Sequence, residues 1–121
     1  LAFSGAGVVP FYGEMRFIDT LGLTDAHIAH TAVQQHGHGM AGHEHGDGRY
    51  VLSRQPDWIM FTGRPLSSHS PNYPGDNEIF AQQDFHLDYE PVRVTLQYVT
   101  RRSHQTRTYD LFLFRRIVPR S

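Results

Sequence analysis

The apolar residues of this chain come in short runs, broken by glycine, proline and capping residues, and none approaches the roughly 18 residues a membrane-crossing helix needs. Leu1-Ala2-Phe3-Ser4, Met15-Arg16-Phe17-Ile18-Asp19 and Asp57-Trp58-Ile59-Met60-Phe61 each have the length of one strand. Helical stretches separate them. Thr24 stands where a cap belongs, and Ile28, Ala29, Ala32 and Val33 form an apolar stripe that predicts a helix running to about Gln35. Asp47 is placed to cap a second helix over Arg49 to Gln55, ended by Pro56. Strands alternating with helices predict a parallel sheet with crossover connections. The expected class is α/β, a three-layer Rossmann-like open sheet with a parallel first half.

The rest of the chain reads differently. Residues 62 to 78 carry prolines, glycines and serines suited to a long surface loop, and Asn77 to Asp88 reads as one helix. Val92, Val94, Leu96 and Tyr98 then alternate with Arg93, Thr95 and Gln97, and Tyr109, Leu111 and Leu113 alternate with Asp110, Phe112 and Phe114. A polar stretch from Thr100 to Thr108 joins these two half-buried strands, which predicts a C-terminal antiparallel hairpin.

At 121 residues the chain has room for one domain, taken as residues 1–121. It opens inside a structured element, so it reads as a piece of a larger protein. The absence of cysteine excludes disulfides, thiolate metal sites and cysteine nucleophiles. All eleven basic residues are arginine, which excludes Schiff-base chemistry and a phosphate-loop lysine. Charge is unevenly spread: residues 1–90 hold eleven acids against four arginines, and residues 91–121 hold one acid against seven arginines. The basic end, with Arg93, Arg101, Arg102, Arg107, Arg115 and Arg116, suits an anionic membrane surface or a phosphate-bearing ligand; pairing with the acidic remainder is the plain alternative. Nucleic acid is disfavoured by a sequence pI near 6.8.

Three further features invite a chemical reading. Gly5-Ala6-Gly7 after a strand, with Asp19 ending the next, has the outline of a dinucleotide site, but Pro10 stands where the third glycine belongs. The competing reading is a tight turn and a carboxylate that caps a loop. Between His36 and Gly48 the sequence HGHGMAGHEHGDG has no hydrophobic period and reads as a mobile loop. Its His36, His38, His43 and His45, with Glu44 and Asp47 beside them, offer imidazole and carboxylate ligands for zinc, nickel or copper, or simply an adaptable surface. Tyr12, Trp58, Tyr73 and Tyr89 have rings fit to stack on a ligand, although a small domain needs its aromatics in the core. No pattern of nucleophile, acid and base marks a catalytic centre.

The segment with Gly5, Gly7 and Tyr12, the phrase Ile18-Asp19-x-x-Gly22-Leu23-Thr24-Asp25 with Ile28-Ala29, the Gly42-His43-Glu44 segment, and Tyr50-Val51-Leu52 leading to Pro56-Asp57 together resemble one family. It is the C-terminal extracytoplasmic domain of bacterial GT-C-type membrane glycosyltransferases, of the dolichyl-phosphate-mannose-protein mannosyltransferase-like and arabinofuranosyltransferase-like kind. The resemblance covers residues 3 to 61. It implies a parent chain with an upstream transmembrane region, a polyprenyl-phosphate sugar donor, and a location on the extracytoplasmic (periplasmic) face of the bacterial cell membrane. It carries no catalytic residue into this segment and no cofactor of its own, because that family's catalytic acid lies near the start of the membrane region. The expected role is a non-catalytic accessory domain that helps position acceptor or lipid phosphate, with a glycan or anionic lipid as partner. Tyr12, Asp19, Asp25 and His43 would line a polar site at the carboxyl edge of the sheet, where open α/β sheets place ligands; the equal alternative is that Asp19, Asp25 and His43 fasten the loops there. The alternative is a stand-alone metal- or small-ligand-binding module built on the histidine segment.

Overall fold

The computed structural model describes residues 1–33, 37, 39–61 and 68–121. Three two-residue strands, β1 (Ala2–Phe3), β2 (Ile18–Asp19) and β3 (Trp58–Ile59), run parallel, with α1 (Val8–Tyr12) between the first two and α2 (Ala26–Ala29) and α3 (Gly48–Ser53) between the second and third. α4 (Pro74–Phe80) and α5 (Gln83–Asp88) follow, then the long strands β4 (Tyr89–Val99) and β5 (Thr106–Arg116). The sheet order is β2-β1-β3-β5-β4, and β5 is antiparallel to both of its neighbours.

The expected three-layer Rossmann-like sheet is therefore corrected to a mixed sheet whose pairing is mostly antiparallel. One reason is length. The parallel strands pair over one or two residues each, whereas β4 and β5 pair from Tyr89 with Arg116 to Val99 with Thr106. Coverage is the other reason, because a doubly wound sheet needs helices on both faces. Ala2, Ile59 and Phe114 stand side by side in register, and Ile28, Val51, Ile79 and Phe85 from α2 to α5 join them in one buried cluster. All four helices thus cover the same face. α1 is too short to build a second layer: it is a single turn containing Pro10, with Phe11 79% and Tyr12 75% exposed, and none of its described side chains enters the core. The core is one-sided, and each aliphatic side chain fully buried there contributes about 1.5–3 kcal/mol.

Local chemistry explains where the helices differ from expectation. Asp25, not Thr24, caps α2, accepting the Ile28 amide at 3.2 Å, while the Thr24 amide is taken by Asp19 at 2.7 Å. The helix then stops at Ala29, with Gln35 outside the described residues. The predicted helix over Asn77 to Asp88 is two helices, the first opened by Pro74 in its first turn, where a missing N–H costs nothing. Asp47 caps α3 through the Tyr50 amide at 2.9 Å. The segment read as a mobile loop is fastened at its second half: Glu78 accepts the Gly48 amide at 2.9 Å, and Gly46 lies against Gly75 so closely that a Cβ there would stand 2.7 Å from the Gly75 nitrogen.

Candidate functional site

The outer half of the β4–β5 ribbon leaves the body of the domain. From Thr95 to Tyr109 every residue is exposed except Thr100, and only Tyr89 and Phe114, at its base, belong to the core. A free two-stranded ribbon is marginal in water, so its order rests on cross-strand pairs and its turn. Thr95 donates to Asp110 at 2.6 Å, the Thr100 amide to the Gln105 carbonyl at 3.0 Å, and the His104 amide to the Thr100 carbonyl at 2.9 Å.

Register assigns the ribbon two unlike faces. Tyr89, Pro91, Phe112 and Phe114 share the face that meets the helices, and His69 covers it further, its ring 5.0 Å from those of both Phe112 and Phe114. Val92 with Leu113, Val94 with Leu111 and Leu96 with Tyr109 occupy the opposite face, ending at Tyr98 with Arg107. None of these last residues is in the core cluster. The alternation visible in the sequence is real, and its apolar stripe points away from the helices.

The six arginines assigned to an anionic contact divide into two groups. Arg115 is ion-paired with Glu90, its Nε 2.9 Å from the carboxylate, and Arg116 donates to the Pro119 carbonyl at 3.3 Å. Arg93, Arg101, Arg102 and Arg107 are exposed and have no ion pair among the described residues. Arg107 shares the apolar face with its partner Tyr98 and Arg101 and Arg102 stand in the connecting turn, whereas Arg93 pairs with Phe112 on the helix-facing side; the first three make, with Leu96, Tyr98 and Tyr109, a surface suited to an anionic, partly apolar partner.

The residues expected at the carboxyl edge of the sheet serve the loops there. Asp19 is buried; its carboxylate accepts the Leu21 amide at 3.0 Å, the Thr24 amide at 2.7 Å and the Thr24 hydroxyl at 3.2 Å, which is the loop-capping arrangement. Asp25 caps α2 and accepts the Tyr50 hydroxyl at 3.1 Å. Burial works against a charged Asp47, but the Tyr50 amide and the His27 ring outweigh it and hold that carboxyl below the ordinary range. Burial together with the Asp25 carboxylate pushes the Tyr50 phenol up. Asp25, Tyr50, His27 and Asp47 are therefore one linked group, and sequence spacing did not single out His27 or Tyr50 as its members. Tyr12 makes its ring contact with Phe11, centroids 4.9 Å apart, at the exposed end of α1.

The histidines do not converge where the structure describes them. His43 lies against Tyr73 at 4.6 Å between ring centroids, with its Nδ1 3.2 Å from the Ala41 carbonyl, and His45 has a buried Nδ1 with no hydrogen-bond partner among the described residues. His36 and His38 lie outside the described residues. Among the described residues, no three histidine, aspartate or glutamate side chains come together as metal ligands.

Two open cavities of about 450 and 480 Å³ flank the sheet away from that edge. The second balances Arg49 and Arg116 against Asp84 and Asp88. The first, lined by Arg16, Phe17, Arg54, Asp57, Trp58 and Arg120 among others, is net cationic.

Fold and surface together define a small mixed α/β domain that carries a basic, aromatic β-ribbon. No described helix is long and apolar enough to cross a membrane. The chain belongs to the domain of unknown function family DUF8728, whose model matches residues 1–112, through Phe112 on the second strand of the ribbon. No curated protein and no solved structure matches it.

Proposed function

We propose that this domain is a non-catalytic accessory element that docks on anionic lipid phosphate through the outer half of the β4–β5 ribbon. The observation that carries the reading is the set of exposed arginines without ion pairs among the described residues, Arg101 and Arg102 in the turn and Arg107 opposite Tyr98, next to the ribbon face that exposes Leu96, Tyr98 and Tyr109. Each arginine near an anionic bilayer contributes about 1 kcal/mol, and tyrosines and leucines partition into the headgroup region beside them. Within this reading the parent is a polyprenyl-phosphate-dependent membrane glycosyltransferase, the domain lies on the extracytoplasmic face, and the upstream transmembrane region is its partner; the sequence resemblance supports that part.

Vesicle flotation tests it. The domain floats with phosphatidylglycerol-containing vesicles at low salt and not with phosphatidylcholine vesicles, and binding falls as salt rises. The triple variant Arg101→Ala/Arg102→Ala/Arg107→Ala loses roughly a hundredfold in partitioning. Equal binding to neutral vesicles, or no binding to anionic ones at low salt, overturns the proposal.

A further inference from the structure

The cavity of about 450 Å³ lies at the amino ends of β1, β2 and β3, the edge opposite the loops that Asp19 and Asp25 fasten. Three local features put its side chains there. Arg16 and Phe17 precede β2, Arg54 ends α3 at its C-cap, and Asp57 and Trp58 enter β3. Leu1 lines the wall, and its amino nitrogen is already engaged, donating to the Arg16 carbonyl at 2.8 Å.

Charge decides what this cavity suits. Arg120 is paired with Asp57 at 2.6 Å, whereas neither Arg16 nor Arg54 has an ion pair among the described residues. Two uncommitted guanidinium groups on one cavity match a dianion better than a single carboxylate, since each presents a fork of donors to phosphate oxygens. Trp58 and Phe17 are only half-buried, so aromatic surface remains beside the arginines. A planar ring gains from such surface as the apolar body of a ligand whose other end is charged. The neighbouring cavity has no such character, because its two arginines face two aspartates.

We propose that this cavity binds a small phosphomonoester carried on a ring, with Arg16 and Arg54 holding the phosphate and Trp58 and Phe17 lying against the ring. Such a site is separate from the ribbon and needs no lipid.

Trp58 is the sole tryptophan, so its fluorescence reports on this cavity directly. The probes are inorganic phosphate, phenyl phosphate and phenol, titrated into the intact protein. Phenyl phosphate produces a saturable change at lower concentration than inorganic phosphate, and phenol produces none in the same range. Arg16→Ala and Arg54→Ala each weaken phenyl phosphate binding roughly tenfold or more, and Arg49→Ala, in the other cavity, leaves it unchanged. Both arginines are exposed and circular dichroism checks the fold of each variant; Arg16→Gln and Arg54→Gln, which keep a polar side chain, provide a second pair. Three results overturn the proposal: no saturable response to phenyl phosphate, equal affinity for phosphate and phenyl phosphate, or full binding in folded variants lacking either arginine.

Discussion

His27 stacks on Tyr50 with ring centroids 3.9 Å apart and planes 16° from parallel, while its Nε2 meets the Asp47 carboxylate at 2.9 Å. The same carboxylate accepts the Tyr50 amide, and the Tyr50 hydroxyl donates to Asp25. One ring thus ties the cap of α2 to the cap of α3, across a gap of more than twenty residues that otherwise has little apolar content. Loss of Asp47 opens this tie. Asp47→Ala lowers stability by about 1 kcal/mol at neutral pH, the usual cost of a lost cap. Asp47→Asn keeps an acceptor for the Tyr50 amide and isolates the charge. Because the folded carboxyl titrates below its unfolded value, its stabilisation is present above about pH 4 and is lost as pH falls through the folded value. Thermal melts of wild type and Asp47→Asn therefore differ at pH 6 and converge in acid, whereas a pH-independent gap contradicts the assignment.

Gly48 illustrates what the histidine segment does structurally. A Cβ at this position would stand 2.5 Å from the Glu78 carbonyl carbon and the Ile79 nitrogen, both backbone atoms of α4 that cannot step aside. Gly48→Ala therefore destabilises by about 1–3 kcal/mol, the cost of overpacking. Gly7 has no atom within 4 Å of a built Cβ, so Gly7→Ala meets no such clash and costs less than Gly48→Ala. Urea denaturation of the two variants measures the contrast directly.

Some of this arrangement is legible in the sequence. Asp47 as a cap, Pro56 as a stop and the paired alternation over Val92–Tyr98 and Tyr109–Phe114 all rest on local rules, and local rules survive folding. What failed was inference across distance. Ala2, Ile18 and Trp58-Ile59 occupy runs long enough for full strands, yet each pairs for one or two residues, because strand length depends on partners the sequence does not display. The inner face of the hairpin was not legible for a related reason: Val92, Val94, Leu96, Tyr109, Leu111 and Leu113 carry the obvious apolar stripe, while the helices meet Tyr89 and Phe114 of the other parity. Periodicity reveals that two faces differ, but not which of them the helices cover. Asp19 shows the site equivalent: a carboxylate at the end of a strand has the same sequence signature whether it meets a ligand or its own loop, and here three loop donors occupy it.

Tyr89 anchors the base of the ribbon. Its buried hydroxyl donates to the Pro56 carbonyl at 2.8 Å, where α3 hands the chain to β3, and its ring stacks on Phe85 with centroids 5.7 Å apart. Burial pushes the phenol well above its ordinary value. A raised folded value means that the contribution is full below the unfolded value near pH 10 and is lost as pH climbs toward the folded one. Tyr89→Phe keeps the ring, leaves the Pro56 carbonyl without its donor and costs about 1–3 kcal/mol at neutral pH. In alkali the deficit shrinks, because the variant has no phenol to ionise; melts at pH 8 and pH 11 give the comparison, and a deficit that grows with pH reverses the sign claimed for Tyr89.

Shortening the ribbon separates folding from binding. Thr95 and Asp110 are register partners joined by a side-chain hydrogen bond, and every residue of the core cluster lies on the near side of that pair. Replacing residues 96–109 by Asn-Gly closes the hairpin with a two-residue turn whose positive φ angles match the strand twist. The removed residues include Arg101, Arg102 and Arg107 and the apolar pairs built on Leu96 and Tyr98. They bury little surface against the body, so the shortened chain keeps its cooperative melt, within a few degrees of wild type. Its flotation with phosphatidylglycerol-containing vesicles is lost, while the Trp58 response to phenyl phosphate persists, since that cavity lies at the amino ends of β1 to β3. A shortened protein that still floats moves the lipid contact to some other surface of the domain. One that fails to melt cooperatively makes the outer ribbon part of the folding unit, contrary to the one-sided core.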